Sequence, residues 1–300
     1  MNAGPTPDAV PGIDQRQVRR AFARAAASYD GADGLQAEVR ERLLERLQWV
    51  ELRPRRILDL GTGTGGALPG LAARFPDAEI VGLDLTPAMV ERAADRPAPS
   101  SGQPALLLCG DAARLPLADQ SVDLVFSSLA IHWSPTLDAV LAEVRRVLRY
   151  PGLFTFTTPG PSAYQELRAA WRTVDQAPHV LPFPEMRALG DGLVRAGLAE
   201  PVMDTDTLTL TYRSFGTLIA DLRATGTTNA SAGRRTGLTG RRAWATLTAA
   251  YEVHRNSDGL LPATVEIVFG QAWSQGATRR RRAPGDEIAV MLDSLQRRPV

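Results

Sequence analysis

Ile57-Leu58-Asp59-Leu60-Gly61-Thr62-Gly63-Thr64-Gly65-Gly66 is a short apolar run that breaks into glycines. Arg56 to Leu60 has the length and composition of a buried strand, and a helix reaching Arg74 follows the glycines. Glycine lets the backbone turn tightly and approach a ligand closely. The N–H groups that open the following helix add positive potential. Gly61, Gly63 and Gly66 fit the G-x-G-x-x-G spacing of a dinucleotide-binding turn, a weak signal when it stands alone.

Outward from this stretch the strand–helix rhythm continues. Ile80 to Leu85 reads as a second strand, with a helix opening at Pro87, a favoured first-turn residue. Leu106 to Cys109 is a third strand and Val122 to Ser127 a fourth. Leu137 to Leu148 is a helix stopped by Pro151-Gly152, and Leu153 to Thr158 is a fifth strand. Strands separated by helices imply parallel pairing in a doubly wound α/β sheet. After Pro159 the rhythm changes. Helical patterns cover Ala163 to Val174, Glu185 to Ala196, Ser214 to Arg223 and Arg241 to His254, while Thr225 to Gly240 is a Gly-, Thr- and Ser-rich loop. Val202 to Tyr212 and Thr264 to Trp273 alternate and read as two last strands forming an antiparallel sheet edge. Upstream, Gln15 to Trp49 is helical, with Val18, Phe22 and Ala25 on one face, Val39, Leu43, Leu44 and Leu47 on a second stripe, and a break at Ser28-Tyr29-Asp30-Gly31. The expected division is a flexible tail over 1–14, a single domain over 15–274 and a basic tail over 275–300. Within the domain, 15–50 is a helical cap, and 160–190 and 214–256 are substrate or lid insertions.

The chain has 300 residues, 44% hydrophobic and 22% charged, with a net charge of +1. That balance argues against a general nucleic-acid coat. All 34 basic residues are arginine, which removes Schiff-base chemistry and any lysine general base. The single cysteine, Cys109, excludes an internal disulfide and a cysteine zinc site, and its apolar run predicts that it is buried and inert. His132, His179 and His254 lie far apart, so no metal is expected. No secretory signal and no run of about 18 apolar residues occurs, so neither export nor a membrane span is expected and the cytoplasm is. Residues 275–300 carry six arginines against Asp286, Glu287 and Asp293, which predicts a solvated tail.

Three acids shift the reading away from a dinucleotide. Asp59 lies inside the strand end, two residues before Gly61. A carboxylate there sits badly beside a pyrophosphate but suits the cationic end of S-adenosylmethionine. Asp84 ends the second strand, where a carboxylate takes ribose hydroxyls. Asp111, followed by Ala112, ends the third strand and can accept from an adenine amino group. An isolated acid of this kind is an ordinary helix cap or solvated carboxylate; three at successive strand ends beside one glycine loop are not. The loop residues Gly61, Thr62, Gly63 and Gly65, with Leu85 and Met89 after the second strand, complete the expected cofactor contacts. Ser127, Ser128 and Leu129 end the fourth strand and are expected to face the methyl group.

These acids and the glycine loop, with Leu115-Pro116-Leu117-Ala118-Asp119-Gln120-Ser121-Val122-Asp123-Leu124-Val125, resemble class I S-adenosylmethionine-dependent methyltransferases. The resemblance implies a seven-stranded Rossmann-like sheet. Ala21-Phe22-Ala23-Arg24-Ala25-Ala26-Ala27-Ser28-Tyr29-Asp30 with Leu35-Gln36, Ser128-Leu129-Ala130-Ile131-His132-Trp133, Phe156-Thr157-Thr158-Pro159, Leu222-Arg223-Ala224-Thr225-Gly226-Thr227-Thr228-Asn229 and Thr264-Val265-Glu266-Ile267-Val268-Phe269-Gly270 narrow it further. They resemble the malonyl-acyl carrier protein O-methyltransferase family, which opens biotin synthesis. The likeness runs from about Arg16 to Trp273. Arg149-Tyr150-Pro151-Gly152 departs from the family's more usual Arg-Pro-x-Gly.

The resemblance implies methyl transfer to the free carboxylate of a malonyl thioester delivered by acyl carrier protein or coenzyme A. Within that reading Tyr29 and His132 are the catalytic candidates. Trp133 lines the acceptor pocket, and Arg146, Arg213 or Arg223, with Arg145 also in view, pairs the carboxylate. Arg19, Arg20 and Arg24 on one helical side, and Arg234, Arg235, Arg241 and Arg242 around the loop, suit an acidic carrier. Solvated arginines are the competing reading for each. Other small-molecule O- or C-methyltransferases stay open, as does an assembly factor that binds the cofactor without methylating, like the related mitochondrial group that assists respiratory complex I. A nicotinamide-dependent dehydrogenase is remote on account of Asp59 and Asp111.

Overall fold

The computed structural model describes residues 12–97 and 104–275. The two tails read from the sequence lie outside those residues, apart from 12–14 and Gln275. Seven strands form one sheet: β1 Arg56–Leu60, β2 Glu79–Asp84, β3 Leu106–Cys109, β4 Val122–Ser127, β5 Leu148–Pro159, β6 Leu198–Tyr212 and β7 Leu261–Ser274. Their order is β3-β2-β1-β4-β5-β7-β6. β1 to β5 run parallel, and β7 is antiparallel to both β5 and β6. Strand order reverses between β1 and β4. In an open α/β sheet that reversal opens a crevice at the carboxyl ends of the strands.

The helices follow from the apolar stripes: α1 Gln15–Ala25, α2 Gly34–Arg46, α3 Leu68–Arg74, α4 Pro87–Ala94, α5 Leu137–Val147, α6 Gln165–Arg172, α7 Met186–Arg195, α8 Phe215–Ala224 and α9 Arg241–Glu252. Successive strand residues point to opposite faces. Leu58, Val81, Val125 and Phe154 therefore pack on α5 and α7 through Val140, Val144, Leu189 and Leu193. Ile57, Ile80, Leu124 and Phe126 pack on α2 and α3 through Val39, Leu43, Leu68 and Leu71. Both faces are covered, which is why the central strands read as continuous apolar runs rather than alternating ones. A third cluster, Leu167, Phe215, Leu218, Leu247 and Tyr251, joins α6, α8 and α9 over Leu261 and Ala263 of β7.

Two local readings change. α5 ends at Val147 and β5 begins at once at Leu148. Pro151-Gly152 is therefore no helix stop. It lies in a bulge, because Val122 pairs with Leu148 while Leu124 pairs with Leu153. A bulge tolerates proline where a regular ladder does not. Cys109 is exposed rather than buried. β3 is an edge strand, and Leu106 beside it is 53% exposed; an apolar run at a sheet edge has only one side to bury. No helix among the described residues is long and apolar enough to cross a membrane.

Candidate active site

Three carboxylates stand at neighbouring strand tips. Asp59 of β1 is buried, and its Oδ2 accepts from Thr62 Oγ1 at 2.6 Å. Asp84 of β2 accepts from the Gly63 N–H at 3.0 Å and the Thr86 N–H at 2.8 Å. Asp111, after β3, accepts from the Ala113 N–H and from Gln15 Nε2, both at 2.9 Å. The turn between β1 and α3 needs its first glycine. Gly61 has φ +79°, and a Cβ there would fall 2.1 Å from Ala130 Cβ. Its N–H and that of Thr62 both donate to the Leu83 carbonyl, locking the loop against β2.

A cavity of about 110 Å³ lies over these tips. Gly61, Gly63, Asp84, Leu85, Met89, Asp111 and Ala112 wall it, and Gln15, Val18 and Phe22 of α1 close it. A small polar cavity of about 40 Å³ lies beneath the glycine loop, between Asp59 and α2. Burial pushes the Asp59 carboxyl up to about 7, against the Thr62 hydrogen bond and the Arg40 charge. Burial also raises Asp84, opposed by the N–H groups of Thr86 and Gly63.

A third cavity, of about 200 Å³, is mostly apolar, with Leu167, Val180, Phe183, Ile219 and Leu222 among its walls. Phe22, Tyr29, Leu129 and Trp133 wall it together with the cavity over the strand tips. Tyr29 also borders the small polar cavity, so it touches all three. Burial raises the Tyr29 phenol and keeps it protonated. Its turn is tied down by its neighbours. Thr64 Oγ1 donates to Asp30 at 2.5 Å, Arg96 pairs with Asp30 at 2.9 Å, and Ser28 Oγ donates to the Ala224 carbonyl at 2.9 Å. Burial pushes the His132 ring down to about 3, so it is uncharged at neutral pH. Its Nδ1 is buried without a hydrogen-bond partner among the described residues.

The structure sorts the residues singled out in the sequence. Asp59, Gly61, Thr62, Gly63, Asp84, Leu85, Met89, Asp111 and Ala112 border the first or the small cavity. Tyr29, His132, Trp133 and Arg223 border the apolar one. Five of the site candidates do not reach one of these cavities. Ser127 is fully buried and donates to the Leu60 carbonyl at 2.8 Å, joining β4 to β1; Ser128 and Leu129 are the ones that face the crevice. Gly65 packs toward Leu68 and Ala93. Arg146 is consumed by Glu143, Asp119 and the carbonyls of Leu115 and Leu117. Arg213 is exposed at the end of β6. Arg145 binds the carbonyls of Gly197 and Gln275 and is also spoken for. Arg223 alone of the proposed cations borders the apolar cavity, and it makes no ion pair among the described residues. Sequence reading missed Gln15, Phe22, Asp30 and Arg40. Phe22 and Asp30 lie inside the stretch Ala21 to Asp30 that carries the resemblance but stood out for no role of their own, and Gln15 and Arg40 left no signal.

Residues 58–156 match the family described as methyltransferase domain. The chain is 46% identical over 275 residues to a malonyl-[acyl-carrier protein] O-methyltransferase of Laribacter hongkongensis, covering 90% of this chain and 92% of that one. The chain belongs to the malonyl-[acyl-carrier protein] O-methyltransferase family. A second member, from Gallionella capsiferriformans, is 44% identical over 95% of this chain and 98% of its own. The YcgJ protein of Bacillus subtilis has the same fold, with TM-score 0.58 at 18% identity, covering 79% of this chain and all of that one.

As a member of this family the chain is an S-adenosylmethionine-dependent methyltransferase. Its cavities fit that cofactor. Asp84 keeps free lone pairs for ribose hydroxyls after accepting two N–H groups. Met89 and Leu85 give an apolar wall for a base. Gln36 Oε1, in the wall of the small cavity, is buried with no partner among the described residues.

Proposed function

We propose that the chain transfers the methyl group of S-adenosylmethionine to the free carboxylate of a malonyl thioester carried by acyl carrier protein. The observation that carries this reading is the shared wall. Phe22, Tyr29, Leu129 and Trp133 separate the cavity over the strand tips, which Asp84 and Asp111 line and which suits the donor, from the one suited to the acceptor, so the two ligands meet at Tyr29. In this reading 15–50 is the cap over the donor, and 160–190 and 214–256 build the acceptor side of a single domain.

The bound donor supplies an electrophilic carbon on a sulfonium. The rest falls to the chain. A carboxylate with an ordinary pKa of about 4 is already ionised at neutral pH, so no general base is needed. Opposite charges cancel as the methyl moves, and a low-dielectric wall favours that cancellation over the separated, hydrated ions. The apolar residues around Tyr29 supply such a wall. Tyr29, kept protonated, and His132, kept neutral, orient the acceptor by hydrogen bonding without a charge that would blunt its nucleophilicity. Arg223, at the exposed end of α8, draws the anion toward the cavity. Alignment of this kind is worth up to about 7–11 kcal/mol in favourable cases. Asp59, Asp84 and Asp111 hold the donor.

The ester product has lost the malonyl charge, which suits it to apolar elongation on the way to biotin. We place the activity in the cytoplasm, where carrier-bound intermediates are made. Rescue of a biotin-requiring strain blocked at the first methylation tests the reading. The chain is expected to restore growth and Asp84→Ala is not. Failure of the intact, expressed chain to rescue would favour a different carboxylate acceptor on the same site.

A further inference from the structure

We propose that the apolar cavity carries a receptor for a secondary amide, in which the Tyr164 hydroxyl donates to the amide carbonyl and His179 accepts the amide N–H. Such an amide lies two carbons beyond the sulfur in the arm that bears malonyl, on acyl carrier protein and coenzyme A alike, so the inference rests on the proposed acceptor. Tyr29 and His132 serve the carboxylate in that reaction. Tyr164 and His179 wall the same cavity, and the reaction gives them no task.

Tyr164 precedes α6 with φ +56° and ψ +36°, a left-handed backbone that side chains rarely adopt and glycine takes freely. Its N–H donates to the Thr264 carbonyl of β7 at 2.7 Å, which fixes the turn. The phenol makes no hydrogen bond among the described residues. Burial, with the Asp221 charge behind it, raises the phenol and keeps it a donor. Leu167 and Trp171 follow at helical spacing and wall the cavity beside it.

His179 lies flat on Trp171, with ring centroids 3.5 Å apart and planes 3° from parallel. Asp175 accepts from its Nε2 at 2.7 Å and is itself held by Arg235 Nη1 and the Ala177 N–H, both at 2.9 Å. A carboxylate only accepts, so Nε2 carries the hydrogen, and the uncharged ring keeps Nδ1 as an acceptor. Nδ1 has no partner among the described residues. Seven residues of helix, about 10 Å, separate Tyr164 from Trp171, so the two free groups are not spent on each other. One held donor and one held acceptor on a mostly apolar wall match an amide. A purely apolar guest would leave both unpaired, which costs affinity.

Two malonyl thioesters of equal chain length separate this role from a structural one. Malonyl-S-N-acetylcysteamine has the amide, and the S-pentyl thioester of malonate does not. Tyr164→Phe is expected to lower kcat/KM for the first by roughly three- to tenfold, the size of one hydrogen bond, and to change the second by less than about twofold. The loss falls on KM, since the amide is remote from the reacting carboxylate. His179→Phe keeps a ring on Trp171 and is expected to show the same pattern. Equal losses on both thioesters, or none on the first, overturn the inference while the acceptor reading stands. A chain that binds S-adenosylhomocysteine yet methylates neither thioester nor malonyl-coenzyme A overturns the acceptor reading, and this inference with it.

Discussion

Tyr29 borders all three cavities, and its hydroxyl is free of any hydrogen bond among the described residues. Tyr29→Phe is expected to lower kcat about tenfold, the size of one hydrogen bond, while S-adenosylhomocysteine affinity changes less than about twofold. Steady-state rates with parallel titration check this; an unchanged kcat removes Tyr29 from the reaction. Asp59 gives a pH signature. It faces the Thr62 hydroxyl, Arg40 and Asp84, and burial holds its carboxyl at about 7. Its folded value is raised above the unfolded one, so its contribution favours the folded chain at low pH and is lost as pH rises from about 4 toward 7. The donor's ammonium needs the ionised form. S-adenosylhomocysteine affinity should therefore climb from pH 6 to pH 8 and level off, whereas a flat profile would show that Asp59 does not meet the ammonium. The acids were legible in the sequence because each sits at a fixed step from a strand and a glycine. Arg40 and Asp30 were not, because the partners that give them meaning come from folding: Thr64 is 34 residues from Asp30.

At the scale of elements, α1 is the roof of the donor cavity and is tied at both ends. Gln15 holds Asp111, 96 residues away, while Asp14 pairs with Arg234 at 3.0 Å and Ile13 bridges to Ser231 in the loop after α8. The turn after α1 is held to the glycine loop through Asp30. Asp30→Ala removes acceptors for Thr64 and Arg96 and is expected to cost about 1–3 kcal/mol of stability. It should also lower kcat, because Tyr29 loses its anchor; urea melts and rates measured together check both. A stable variant with normal kcat would show that the tie does not position Tyr29. Periodicity found α1 and α2 on either side of Ser28-Tyr29-Asp30-Gly31, since apolar stripes report packing directly. It missed the start of β5, because a bulge carrying Pro151-Gly152 breaks alternation in the same way as a turn.

For the molecule as a whole, the sheet brings tips from distant segments together and leaves the outer side of α1 exposed. Arg16, Arg19, Arg20 and Arg24 on α1 are exposed and make no ion pairs among the described residues. Arg234 and Arg235, which also stood out in the sequence, are instead paired with Asp14 and Asp175. An acidic carrier docking on α1 predicts that KM for the malonyl carrier rises several-fold from low to high ionic strength while kcat holds. A KM indifferent to salt would place docking elsewhere. The glycine loop and strand rhythm made the architecture readable, but which arginines were free was not, since all 34 look alike until the carboxylates beside them are placed. The most direct measurement is the intact mass of malonyl-acyl carrier protein after incubation with the chain and S-adenosylmethionine. One added methylene on the malonyl carrier is the predicted result. A carrier of unchanged mass, under conditions where the chain binds S-adenosylhomocysteine, would contradict the account.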